Sequence, residues 1–105
     1  MKSNFIQILI SAENKKQANQ ILNALLKDKL VIGGLMIESP SKFWWKGKII
    51  KINYCNIVTF SMEKHVKRII EKVKEISIEE VPMVSATTIL YGNKEFFNWI
   101  SSTIG

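Results

Sequence analysis

The 105-residue chain predicts an α+β fold, with elements in the order strand, helix, strand, strand, helix, strand and one further helix at the end. Three observations carry this. Extended apolar runs at 4–11, 30–37, 50–61 and 83–90 are separated by two stripes of helical spacing, over 14–29 and 66–76. The run Lys42-Phe43-Trp44-Trp45-Lys46-Gly47-Lys48-Ile49 sets three aromatics beside a glycine, a composition that suits a twisted strand and not a helix. Pro82 ends the second helical region, since it cannot donate to a helix ladder and holds Val81 extended.

Each element has its own justification. Residues 4 to 11 are apolar on both faces, which places the first strand inside the sheet. Asn14, with Gln17 three positions on, starts a helix whose buried face is Ala18, Ile21, Leu22, Leu25 and Leu26. Leu30 to Ile37 is the second strand, containing Gly33-Gly34, and Glu38-Ser39-Pro40-Ser41 predicts a bend or bulge before the aromatic run. Strand alternation then puts Phe43, Trp45, Gly47 and Ile49 on one side and Trp44, Lys46 and Lys48 on the other. Ile50 to Ser61 alternates strongly and pairs with the preceding strand as a long hairpin. Ser61 is a candidate cap for the second helix, whose stripe is Val66, Ile69, Ile70, Val73 and Ile76. Met83 to Leu90 is the last strand. Gly92-Asn93 then leads into a terminal helix with Phe96, Phe97, Trp99 and Ile100 on its apolar side.

This order is the split βαβ arrangement of ferredoxin-like domains, and the chain is read as one such domain, 1–105. Such a sheet carries helices on one face, so its other face requires a cover that the chain itself lacks. A tryptophan on each side of the hairpin points the same way, and further copies of the chain are the natural cover.

Composition narrows the function. The apolar fraction of 47% and charged fraction of 23% are those of a globular protein that buries about 60–70% of its unfolded surface. One cysteine, Cys55, cannot form an internal disulfide, and there is neither a secretory leader nor a membrane-length apolar run, which makes a cytoplasmic location the expectation. The net charge of +6 is spread over every segment. On the second helix Lys64, Lys67, Lys72 and Lys74 are interleaved with Glu63, Glu71 and Glu75, as on a solvated face.

No catalytic constellation stands out. His65 is the only histidine, read as a solvent-facing helix residue, and Cys55 is read as a small buried hydrophobe. Met36, Met62 and Met83 are read as core filling. Glu79 and Glu80 are adjacent in an extended stretch, so their carboxylates point apart and cannot share a proton. Acylphosphatase chemistry needs an arginine-bearing loop near the first strand, and the sole arginine, Arg68, lies in the second helix. The rival reading is a nucleic-acid module of the same strand order. It needs stacking aromatics in a basic-Gly-aromatic motif on the third strand, where this chain has Asn53-Tyr54-Cys55-Asn56-Ile57-Val58-Thr59-Phe60.

Along essentially its whole length the chain resembles the CutA family, named for divalent cation tolerance. Three segments carry the match: Phe43-Trp44-Trp45-Lys46-Gly47-Lys48-Ile49, similar to that family's aromatic hairpin strand; Glu80-Val81-Pro82 before the last main strand; and Gly92-Asn93 with Phe96-Phe97-Asn98-Trp99-Ile100. The resemblance implies a PII-like homotrimer with no established catalytic activity, and it implies copper or another divalent cation as a ligand. Members usually have Ala-Cys-x-Asn where this chain has Ile32-Gly33-Gly34-Leu35, and His-Pro-Tyr where it has Ser77-Ile78-Glu79. The missing cysteine and histidine are the ligands that copper or zinc requires, so no metal or other cofactor site is assigned. The expected trimer interface uses Phe43, Trp44, Trp45, Gly47, Ile49 and Tyr54, with Gly47 permitting close backbone approach. The candidate ligand cleft, between subunits, is lined by Lys46, Lys48, Glu79 and Glu80. No specific nucleic acid and no membrane is expected as a partner.

Overall fold

A computed structural model describes residues 4–105, so the first three residues of the expected domain lie outside the described residues. Its elements are β1 (Phe5–Ile10), α1 (Lys15–Lys27), β2 (Gly34–Trp45), β3 (Lys48–Met62), a 3₁₀ turn (Glu63–His65), α2 (Val66–Ile76), β4 (Val84–Thr88) and α3 (Lys94–Ile104). The strands form one antiparallel sheet in the order β2-β3-β1-β4, with β1 internal, and this is the α+β split arrangement expected.

The start of α1 follows from its cap: the Asn14 side chain accepts the Gln17 N–H at 2.9 Å. The helix stops at Lys27 because Lys29 turns left-handed, φ 53°, and the Leu30 N–H reaches back to the Leu25 carbonyl. α1 and α2 cover one face of the sheet. Ile6, Ile8 and Ile10 of β1, Ile57 of β3, Ile21 and Leu25 of α1, and Ile69 and Val73 of α2 make the main core there. Leu26 and Ile70, expected in these stripes, are exposed at the margins.

Three expected features differ. The second strand begins at Gly34, not Leu30, because the carbonyls of Leu30 and Gly33 are taken by the hydroxyls of Ser61 and Thr59 instead of a strand partner. Ser61 therefore sits buried in β3 and caps no helix. No bend interrupts β2: residues 38–41 stay in register with β3, and Pro40 opposite Asn53 is tolerated because β2 is an edge strand, where a missing N–H costs no ladder bond.

The second face of the sheet is partly covered by the chain itself. α3 lies across one end, where Ile100 and Ile104 with Phe96 and Phe97 pack on Phe5, Phe60 and Met62. The Phe97 ring stacks on Phe5 at 4.4 Å, and Phe96 meets Phe60 edge-on at 5.2 Å. This corrects the expectation that no element of the chain reaches that face. The uncovered remainder holds Leu35, Val58 and Leu9 in one row across three strands, with Leu35 57% and Leu9 45% exposed.

Candidate functional site

The hairpin tip sets the geometry. Lys46 and Gly47 both have positive φ, 49° and 78°, as a two-residue turn matched to strand twist demands. The turn resets the alternation, pairing Trp45 with Lys48, Trp44 with Ile49 and Phe43 with Ile50. Cross-strand partners share a face, so Ile49 stands with Trp44, and Lys48 with Trp45, the reverse of the expected grouping. Gly47 is also reassigned. A Cβ there would meet nothing within 4 Å, so its role is the left-handed turn and not close approach. The close approach belongs to Gly34, where a Cβ would stand 3.1 Å from Leu22 Cδ1 and 3.2 Å from the Val58 carbonyl oxygen.

Facing the hairpin is the loop 77–83, held down by buried polar groups. Gln17 Oε1 accepts the Ile78 N–H at 2.7 Å. Ser11 donates its hydroxyl to Glu79 Oε2 at 2.7 Å and accepts the Met83 N–H at 2.8 Å. Tyr54, also buried, places its phenol close to the Glu79 carboxylate. Glu80 turns outward to Lys46, 3.2 Å away. The adjacent carboxylates do diverge, although they lie in a bend and not in a strand.

Burial, then the neighbouring Glu79 carboxylate as an acceptor for the phenol proton, then the negative charges of Glu79 and Glu13 push the Tyr54 phenol from its ordinary 10.0 up to about 12. The folded state thus holds this proton more tightly than the unfolded chain does. Its stabilising contribution is complete below pH 10 and is lost as pH rises towards 12. Denaturation midpoints measured across that window fall in the wild type and fall less in Tyr54→Phe; equal slopes would refute the assignment.

Hairpin and loop enclose a groove of about 480 Å³. Phe43, Trp44, Trp45, Ile50 and Tyr54 form one side, Ile78, Val81 and Met83 the other, and Glu13, Glu79 and Glu80 are its charged groups. Of the expected interface and cleft residues, the groove gathers Phe43, Trp44, Trp45, Tyr54, Glu79 and Glu80. Lys46 reaches it through Glu80, whereas Gly47, Lys48 and Ile49 are not among its walls. Sequence reasoning missed Ser11, Glu13 and Gln17. Gln17 carried a readable signal, since it lies one residue before Ala18 on the buried face of α1.

The metal question turns on donors. Among the described residues no three or more His, Cys, Asp or Glu side chains converge to hold an ion. His65 is not the solvent-facing residue expected: half-buried, it donates from Nε2 to the Ile104 carbonyl at 2.6 Å, joining the start of α2 to the end of α3. Cys55 is buried and unpaired. Met36 and Met83 are exposed, and only Met62 packs in a core. Among the described residues the side chains present do not fit a resident copper or zinc ion.

The nucleic-acid reading also meets the structure. On the second sheet face, Phe5 is stacked on Phe97 and Phe60 is packed edge-on to Phe96, so these rings are covered by α3 and not presented to bases.

Set against known proteins, residues 6–103 match the family model described as CutA1 divalent ion tolerance protein. The chain belongs to the CutA1 family. A divalent-cation tolerance protein CutA of Archaeoglobus fulgidus is 29% identical over 97 residues, covering 92% of this chain and 95% of that one. The solved structure of the A. fulgidus protein, named a periplasmic divalent cation tolerance protein, superposes with a TM-score of 0.93 at 28% identity, over 96% of this chain and 99% of the other. CutA1 of Oryza sativa shares the fold, with a TM-score of 0.92 at 21% identity over 99% of this chain and 96% of its own. In this CutA1 chain the position where the resemblance places a histidine holds Ser77, whose Oγ accepts the Glu79 N–H at 3.1 Å. The position where it places a cysteine holds Gly33, at φ 149°. No helix among the described residues is long and apolar enough to cross a membrane.

Proposed function

We propose that this chain is the single-domain subunit of a PII-like homotrimer that acts in the cellular response to divalent cations by binding or regulation, without catalysing a reaction. The observation that carries the reading is apolar surface that one copy leaves in water. Trp44 is 72% and Ile49 57% exposed at the hairpin, and Leu35, Ile37 and Leu9 are exposed on the second sheet face. The outer edge of β2, twelve residues long, has no neighbouring strand among the described residues, and its backbone offers a pairing site to another subunit. Threefold association would cover both and bring the hairpin groove to a subunit boundary. The free, buried Cys55 suits a reducing compartment, and the proposed location is the cytoplasm.

Sedimentation or light scattering tests the assembly. The expected mass is three times the 12.1 kDa subunit, and a folded monomer at micromolar concentration would overturn the reading. Trp44→Ala and Trp45→Ala each weaken the trimer, shifting its midpoint of dissociation by about tenfold or more. Wild-type mass and melting temperature in both variants would remove these residues from the interface.

The link to metal ions is placed outside any one subunit's chelating set. Calorimetry of tag-free protein with Cu²⁺ and Zn²⁺ is expected to show no stoichiometric site of sub-micromolar affinity. One tight equivalent per subunit would refute this.

A further inference from the structure

We propose that the groove between the hairpin tip and the 77–83 loop binds a small organic amine in its ammonium form, with an aliphatic stem along the aromatic wall. This rests on the reading above that the protein acts by binding, and it names a site and the ligand's chemistry.

Four features of the groove converge on that class. Although the chain carries a net charge of +6, the charged side chains walling the groove are all carboxylates, Glu13, Glu79 and Glu80. An anion is repelled there. Glu79 is already engaged by Ser11, which leaves Glu80 and Glu13 with capacity for a ligand, and two carboxylates beside an aromatic wall suit one ammonium. The wall is otherwise apolar and aromatic, and at about 480 Å³ the groove has the size of a small-molecule site.

The fourth feature is Lys46. Its Nζ stands 3.2 Å from Glu80 Oε2 and 5.4 Å from the centre of the Trp45 ring, so the chain's own alkylammonium sits between the carboxylate and the aromatic face. Both members of this ion pair are largely exposed, at 69% and 64%, and such a pair is readily exchanged. A free amine would displace Lys46 and reproduce its contacts while burying its stem against Phe43, which shares the strand face of Trp45.

The test is a titration of the intact protein with n-hexylammonium, followed by tryptophan fluorescence, with 1-hexanol as the uncharged counterpart. Saturable binding of the ammonium, about tenfold or more tighter than the alcohol, is expected. Glu80→Gln weakens the ammonium about tenfold and leaves the alcohol unchanged. Lys46→Asn, which keeps a residue suited to the left-handed turn position while removing the competing ammonium, tightens it about threefold or more. Circular dichroism shows whether each variant keeps the wild-type fold. Equal affinity for amine and alcohol, an unchanged titration in Glu80→Gln, or no saturation below about 10 mM would each overturn the proposal. A trimer that ignores the amine defeats this inference alone, whereas a monomer that binds it defeats the assembly reading alone.

Discussion

Ile100→Ala lowers the unfolding free energy by about 3–4 kcal/mol, while Trp99→Ala, one residue away and a larger truncation, costs under about 1 kcal/mol. The contrast follows from where α3 lies. Ile100 is fully buried between the helix and the second face of the sheet, in the cluster with Ile104, Phe5, Phe60, Phe96 and Phe97. Removing its side chain leaves a cavity between rings already fixed by stacking, which cannot close without parting Phe97 from Phe5. Trp99 is 54% exposed and touches Phe96 only edge-on, at 6.3 Å. Urea denaturation of both variants, at a concentration where assembly is unchanged, provides the measurement. A smaller loss in Ile100→Ala than in Trp99→Ala would mean that α3 does not pack on the sheet as described.

Glu79→Ala is expected to cost about 1–3 kcal/mol, since it leaves the buried Ser11 hydroxyl without its acceptor and removes the carboxylate beside the Tyr54 phenol. Glu79→Gln recovers part of this, because one amide oxygen can still accept. The loss is not additive with Tyr54→Phe. Once the phenol hydroxyl is gone, removing the carboxylate no longer costs its interaction with that neighbour, and the double variant is more stable than the sum of singles predicts by about 1 kcal/mol. The same variants report on the groove, because Glu79 ties the 77–83 loop to β1 and β3. Trp44 and Trp45 fluorescence should shift in Glu79→Ala in the folded protein. Strict additivity, with unchanged fluorescence, would show that the carboxylate does not organise the loop.

The outline of the fold was open to a reader of the chain because it depends on local pattern. The Asn14 cap, the apolar stripes of α1 and α2 and the alternation along β3 are properties of neighbouring residues, and each produced its element. The central place of β1 followed from apolar character on both faces. Boundaries failed where a distant partner decided them. Leu30 to Gly33 has the composition of a strand, yet its carbonyls bond hydroxyls some thirty residues on, in β3. Pro40 reads as a break and sits within a strand, because edge position is a property of the sheet.

The site was half legible. Its aromatic wall and the Glu79-Glu80 pair stood out by residue type, but no local signal joined them. Ser11, Gln17, Tyr54 and Glu79 come from four separate segments, and only packing brings them to one loop. The face partners of Trp44 and Trp45 were misread because alternation holds along a strand and not through a two-residue turn. By itself the sequence determined the elements, their order and the family, since these rest on short-range periodicity and on motif order. Tertiary structure alone decided which face α3 covers, how the hairpin faces its loop and where the carboxylates point, because long-range hydrogen bonds and packing fix those choices.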